Sequence, residues 1–325
     1  MGSHVVDLLI QKGVSVRCLL RPQRSLEVFG EREIEVFRGD LRGAEGLAEA
    51  VDGVDSVIHV AGLIGARSPA EFMTVNMGGT RRLAEVVAAR NPACRRFVYV
   101  SSQAAAGPSP DGVPIDETAA PNPLTHYGRS KLAGERVLAE ALGPVPFTVV
   151  RPPAIYGPKD EALLPIFQLA AKGWTADLDG RGRLFNLLHA EDVAHGIVEA
   201  CLSDTAAGGT YFLSDGPGCS HSGMARILGQ AFGHRLRRIP VPDFLLDLAA
   251  AVTDELAGLA GVASVFGRQK AIEFKARWWL CSAARAHADF GWEPRVPPET
   301  GLIETARWYA EHGKLRLPRP MNSSV

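Results

Sequence analysis

Apolar positions in the first half of the chain follow two alternating spacings. Val5, Leu8 and Leu9 recur at helical intervals and stop before Gly13. Such spacing marks one buried helix face, and a glycine just past it is a usual stop. Short runs rich in β-branched and apolar residues follow: Val14 to Leu20, Ile34 to Phe37, Val57 to Val60, Phe97 to Val100 and Phe147 to Val150. Helical patterns separate them, among them Asn76 to Ala89, with Leu83, Val86 and Val87 on one face, and Tyr127 to Leu142. Strand and helix alternating at this spacing predict an α/β fold, a doubly wound parallel sheet covered by helices on both faces. That unit is expected over residues 1–158.

The pattern loosens after Pro152. Leu163 to Ala171 predicts a helix, Leu184 to Leu188 an apolar run, Asp192 to Cys201 a helix and Thr210 to Leu213 a strand. Elements near 184–215 are expected to return to the sheet, while 159–325 forms a smaller, mostly helical cap over a substrate. Val241 to Phe266 is apolar enough to weigh as a membrane span, yet it carries Asp243, Asp247, Asp254 and Glu255. Carboxylates are costly in lipid, so a pair of amphipathic helices is expected instead, and no membrane span. Glu299 to Tyr309 predicts a closing helix, and the Pro-rich stretch from Arg316 a loose tail.

Composition narrows the function classes. With 46% hydrophobic residues the chain has enough apolar surface for a core, which excludes disorder. Its 35 basic and 36 acidic residues leave a net charge of -1, so no overall field favours nucleic acid. Cys18, Cys94, Cys201, Cys219 and Cys281 form no C-x-x-C pair and are odd in number. Reduced thiols and a cytoplasmic location are expected, in line with the absence of a visible secretory signal. His59, His126, His189 and His195 lack ligand spacing, so no metal site is expected.

The chemistry concentrates at two places. Tyr127 and Lys131 are four apart in a helical segment, which sets phenol and ammonium on one face. A nearby cation favours the phenolate and should lower the phenol's pKa from its usual value near ~10, fitting it for proton transfer. Ser101 and Ser102 follow the run Phe97 to Val100, at the carboxyl end of a predicted strand, where doubly wound sheets place ligands.

Here the sequence resembles the extended short-chain dehydrogenase/reductase family, which includes epimerases, dehydratases and 3β-hydroxysteroid dehydrogenases. Tyr127 follows Ser102 by 25 positions, as the family's tyrosine follows its strand-end serine. The resemblance extends over Asp40-Leu41, Val60-Ala61-Gly62, Val75-Asn76 with Gly79-Thr80, Arg151-Pro152-Pro153 through Tyr156-Gly157-Pro158, and His189 to Val193. It implies that Tyr127 is the general acid/base, that Lys131 tunes it and binds the nicotinamide ribose, and that Ser102 bonds the reacting oxygen. It also implies that Asp40 and Leu41 flank the adenine, that Ala61 and Gly62 approach the cofactor, and that Asn76 supports the active-site helix. Ser101 and Pro152 count among the implied cofactor contacts. The family opens with a strand and T-G-x-x-G-x-x-G, of which Gly2 matches the last glycine. The expectation is that the first strand and two glycines, about a dozen residues, lie upstream of Met1.

The second strand ends in Arg21, with Arg24 near, and not in an acid. An arginine there suits a 2′-phosphate, so NADP is expected ahead of NAD. Nucleotide-sugar members of the family carry an Arg where this chain has Phe185, although Arg181 and Arg183 are close. The expected activity is hydride transfer to or from a carbonyl or secondary alcohol on a largely apolar, steroid- or flavonol-like small molecule. The alternatives are a nucleotide-sugar epimerase or dehydratase and, from another class, a non-catalytic dinucleotide-binding scaffold. By family analogy the helices near Asn76 to Ala89 and Tyr127 to Leu142 make a homodimer.

Overall fold

Four of the apolar runs line up in one parallel sheet. This computed structural model describes residues 1–316 except 31, 179–181, 263 and 265–266. The chain opens with α1 (Gly2–Gln11), which ends as expected beside Gly13, in the left-handed region at φ 72°. Next come β1 (Arg17–Leu20), β2 (Glu35–Arg38), α2 (Leu47–Val51), β3 (Ser56–His59) and α3 (Pro69–Phe72). A π-helical turn over Met73–Gly78 leads into α4 (Gly79–Arg90), followed by β4 (Arg96–Val100), α5 (Gln103–Ala106), α6 (His126–Ala141) and β5 (Phe147–Arg151).

The second half holds β6 (Ala154–Tyr156), α7 (Leu164–Ala171), β7 (Trp174–Asp177), β8 (Leu184–Phe185), β9 (Leu187–His189), α8 (Ala190–Leu202) and β10 (Thr210–Phe212). After it follow α9 (His221–Ala231), β11 (Arg237–Pro240), α10 (Asp243–Leu259), α11 (Arg268–Lys275), β12 (Trp278–Trp279), α12 (Ala284–Phe290) and α13 (Pro298–Glu311).

The sheet runs β10-β5-β4-β3, all parallel, with Val98 opposite both Ile58 and Thr148. Every residue of β4 is buried, as a central strand covered on both faces requires. The pleat sends Phe97 and Tyr99 into a core with Leu83, Val87 and Leu138 of α4 and α6. Val98 and Val100 point the other way, to Val5, Val193, Ile197 and Trp292. A third core, with Phe167, Leu228, Leu302 and Tyr309, holds the cap together.

β1 and β2 pair only with each other. Between β1 and β3 lies a cleft of about 1500 Å³, bordered along both strands by Val16 to Leu20 and Ser56 to Val60. It exceeds the ~300–1000 Å³ of ordinary small-molecule sites because the gap in the sheet merges with the mouth at the strand ends.

Two expectations are refined and one, the pair of helices, is corrected. The run Leu184 to Leu188 is two strands, because Asn186 between them turns its amide to Asp215 and accepts from the Cys281 N–H. These strands pair with β12 and β6, so only β10 returns to the main sheet. In Val241 to Phe266 the described residues form one helix, α10, rather than two. Among the described residues no helix is long and apolar enough to cross a membrane. The tail beyond 316 lies outside the described residues.

Candidate active site

Ser102 ends the loop from β4 and caps α5, its hydroxyl accepting from the Ala104 N–H at 3.2 Å. Tyr127 stands in the first turn of α6, which Thr125 caps through the Gly128 N–H at 3.1 Å. The Ser102 hydroxyl lies close enough to the Tyr127 phenol to act on it, so strand end and helix start meet. One turn on, Lys131 is buried, donating to the Val100 carbonyl at 2.7 Å with its ammonium 4.3 Å from the centre of the Tyr99 ring.

Burial decides the electrostatics, against the sequence expectation. The Tyr127 phenol is pushed up to about 12 by desolvation, with Ser102 acting downward. Lys131 is pushed down to about 7 by desolvation, and the Glu135 carboxylate opposes that fall. The cation is therefore spent on Val100 and Tyr99 rather than on lowering the phenol. Between about 7 and the usual ~10.4 the folded chain binds fewer protons at Lys131 than the unfolded chain. Stability should therefore rise with pH across this window and be lost as pH falls towards 7. Relative to Lys131→Met, denaturant titrations should show a slope of up to about 1.4 kcal/mol per pH unit. Parallel stability curves for the two proteins would show that Lys131 titrates normally.

Asn76 sits in the π turn and is 1% exposed. Its Oδ1 accepts from the Leu63 N–H at 2.7 Å, while its Nδ2 donates to Leu63 O and to Ser130 Oγ, each at 2.9 Å. It thereby clamps the loop after β3 to α6. A Cβ on Gly62 would lie 3.1 Å from Asn76 Oδ1 and 3.6 Å from Lys131 Nζ, so the bare backbone is what lets the loop approach.

Gly2, Arg21, Asp40, Leu41, Ala61 and Gly62 all border the cleft, and Gly62 joins it to the Ser102–Tyr127–Lys131 group. Asp40 also makes a turn, accepting from the Arg42 N–H at 2.9 Å. Leu41 is mostly buried among Leu47 and Leu83. Arg21 and Arg24 are exposed at the cleft, with no ion pair among the described residues. Two expected contacts lie elsewhere. Ser101 turns its hydroxyl to Glu135, and Pro152 is buried with its carbonyl on the Gln103 N–H at 2.8 Å.

The residue that sequence reading missed is Glu135, one turn beyond Lys131. It takes two hydrogen bonds from Arg151, at 3.0 and 2.6 Å, and a third from Ser101, tying α6 to the ends of β4 and β5. Its spacing from Lys131 was the available signal, but the partner Arg151 comes from another strand. His59 is a core residue, 2.9 Å from Thr80 Oγ1 and pushed down to about 3 by burial and by Lys131. The segment from His189 to Val193 is structural, since Asp192 accepts the Arg295 and Val296 N–H groups at 2.9 and 3.0 Å.

The sequence model of the NAD dependent epimerase/dehydratase family matches residues 1–212. The chain is 35% identical over 321 residues to a ceramide reductase of Caulobacter vibrioides, covering 97% of this chain and 93% of that one. It is 28% identical over 334 residues to a 3 beta-hydroxysteroid dehydrogenase/Delta 5-->4-isomerase of Mycobacterium tuberculosis, covering 95% and 87%. In fold it is similar to the UDP-glucose 4-epimerase of Thermotoga maritima, with a TM-score of 0.76, 21% identity and 96% of each chain covered.

Proposed function

The chain belongs to the NAD dependent epimerase/dehydratase family, and within it we propose that it is an NADP(H)-dependent reductase of a ketone on a lipid-like substrate. The observation that carries this reading is the Ser102 hydroxyl near the Tyr127 phenol, on the helix that also carries Lys131 one turn on. A phenol held at about 12 keeps its proton at neutral pH, the state needed to protonate a carbonyl oxygen during reduction. Ser102 would hold that oxygen, and Lys131 would steady the charge that forms on it.

The residues present fit a dinucleotide. A side chain on Gly62 would press on Asn76, the start of α1 faces the cleft, and Arg21 and Arg24 at its edge have no ion pair among the described residues. When bound, the nicotinamide supplies the hydride. Gly2, Asp40, Leu41, Ala61, Gly62, Asn76 and Lys131 are the residues that would hold or border it. Arg21→Asp should weaken NADPH and favour NADH, since it removes a phosphate partner and adds a repelling carboxylate. Equal NADPH affinity of both proteins, titrated at one ionic strength, would make Arg21 an ordinary surface cation.

For the substrate, Phe185 stands where a diphosphate-binding Arg would be, and it packs its ring 4.8 Å from that of His221. Arg183 is buried and paired with Asp243 at 2.5 Å, so it is not free for a diphosphate. Arg181 lies outside the described residues. The ceramide and steroid names of two relatives agree with an apolar substrate. The test follows NADPH absorbance with a long-chain keto lipid, a 3-oxosteroid and a UDP-keto-sugar. Turnover is expected on the apolar ketones. Turnover confined to the sugar nucleotide, or none at all, overturns the reading.

A further inference from the structure

We propose that the outer face of α10 seats the protein on an anionic lipid bilayer, beside the part of the cap that covers Tyr127. Phe244, Leu248, Val252, Leu256 and Leu259 recur at spacings of three and four residues, with Leu245 alongside, and all are exposed, from 41% at Leu245 to 87% at Leu259. A continuous apolar stripe on a water-facing helix marks an interaction surface. Only Leu246 and Ala250 of this helix are buried.

Most of the carboxylates that argue against a membrane span are drawn aside. Asp243 pairs with Arg183 at 2.5 Å, Asp247 with Lys275 at 2.6 Å, and Asp254 accepts the Arg268 N–H at 2.9 Å. Glu255 lies within the stripe, between the Phe244 and Leu248 directions, and faces the exposed Arg268 at 3.8 Å. The helix therefore has a largely apolar face on which Glu255 is the one acid, and a charged flank where Asp243, Asp247 and Asp254 are paired. That division suits lying in the plane of an interface rather than crossing it.

The neighbouring ribbon fixes the occupant. β11 pairs with β7 so that Arg237 lies opposite Trp174 and Ile239 opposite Ala176, on one side of the ribbon. The Arg237 guanidinium is 5.4 Å from the centre of the Trp174 ring, and both Trp174 and Ile239 are exposed. Arg235 and Arg237 are exposed without a carboxylate partner among the described residues. A tryptophan beside arginines that lack a carboxylate partner among the described residues, on the ribbon that leads into α10, matches a headgroup layer with negative charge. A second copy of the chain would present the same cations.

The surface also sits close to the chemistry. α11 packs between α10 and the start of α6. Gln269 accepts the His126 N–H at 2.7 Å, and Thr125 donates to Glu273 at 3.3 Å, next to Tyr127. A lipid-like substrate would then leave the bilayer where the cap covers the reacting phenol, a link that rests on the function proposed above.

The test is sedimentation of the full chain with vesicles of phosphatidylcholine and phosphatidylglycerol in equal parts, and of phosphatidylcholine alone. The parent protein should bind the mixed vesicles and be monomeric by light scattering without them. Leu248→Ser with Leu256→Ser should weaken binding about tenfold or more per leucine. Arg235→Glu with Arg237→Glu should remove the preference for phosphatidylglycerol. All four positions are exposed, and unchanged melting of the variants will show that they fold. Absence of vesicle binding, or binding that ignores the two leucines, overturns the proposal. So does a parent dimer that the leucine changes dissociate, without vesicle binding, since the stripe is then an interface between copies. Binding needs no turnover: an active protein that ignores vesicles sinks this proposal alone, and an inactive one that binds them sinks only the reductase reading.

Discussion

Tyr127→Phe is expected to lower turnover of an apolar ketone by about 10²–10⁴-fold while leaving NADPH affinity near that of the parent. The phenol is the acidic side chain that faces Ser102, whereas the ring keeps its packing against Phe72 at 6.1 Å. Fold and cofactor cleft are untouched, because Tyr127 does not border the cleft between β1 and β3. Single-turnover kinetics with saturating NADPH separate chemistry from binding. A kcat near the parent value would remove Tyr127 from the mechanism.

Arg151→Met should destabilise the chain by about 3–5 kcal/mol, because it leaves the Glu135 carboxylate buried without its cation. The two side chains are only 7% and 9% exposed, and Ser101 alone would remain on the carboxylate. For a chain of this size that is a fall in Tm of about 5–15 °C. Adding Glu135→Leu should recover most of the loss, since an apolar pair needs no compensation. The loss should also reach the site, as Glu135 lies one turn from Lys131 and its partner Ser101 is next to Ser102. If the single variant melts with the parent, the pair does not hold the strand ends to α6.

How much was legible depends on how local the cause is. The strand runs, the helices of the first half and the stop at Gly13 follow from spacing and backbone freedom, and these elements formed within a few residues of their expected bounds. That Tyr127 and Lys131 share one helix was legible because one turn links them. Ser102 was legible because a strand end precedes it. The break at Asn186 was not, since its partners Asp215 and Cys281 are far along the chain. Glu135 read as an ordinary polar helix position until Arg151 arrived from β5.

The sequence by itself determined the alternating α/β order and the family, because these are carried by short-range patterns of residue type. Tertiary structure alone decided the charge states. Desolvation depends on everything packed around a group, so Lys131 falls to about 7 and Tyr127 rises to about 12, the reverse of what their spacing suggested for the phenol. It likewise decided that Arg183 is spent on Asp243 and that most acids of α10 turn aside, since a long-range ion pair leaves no periodic trace in the chain.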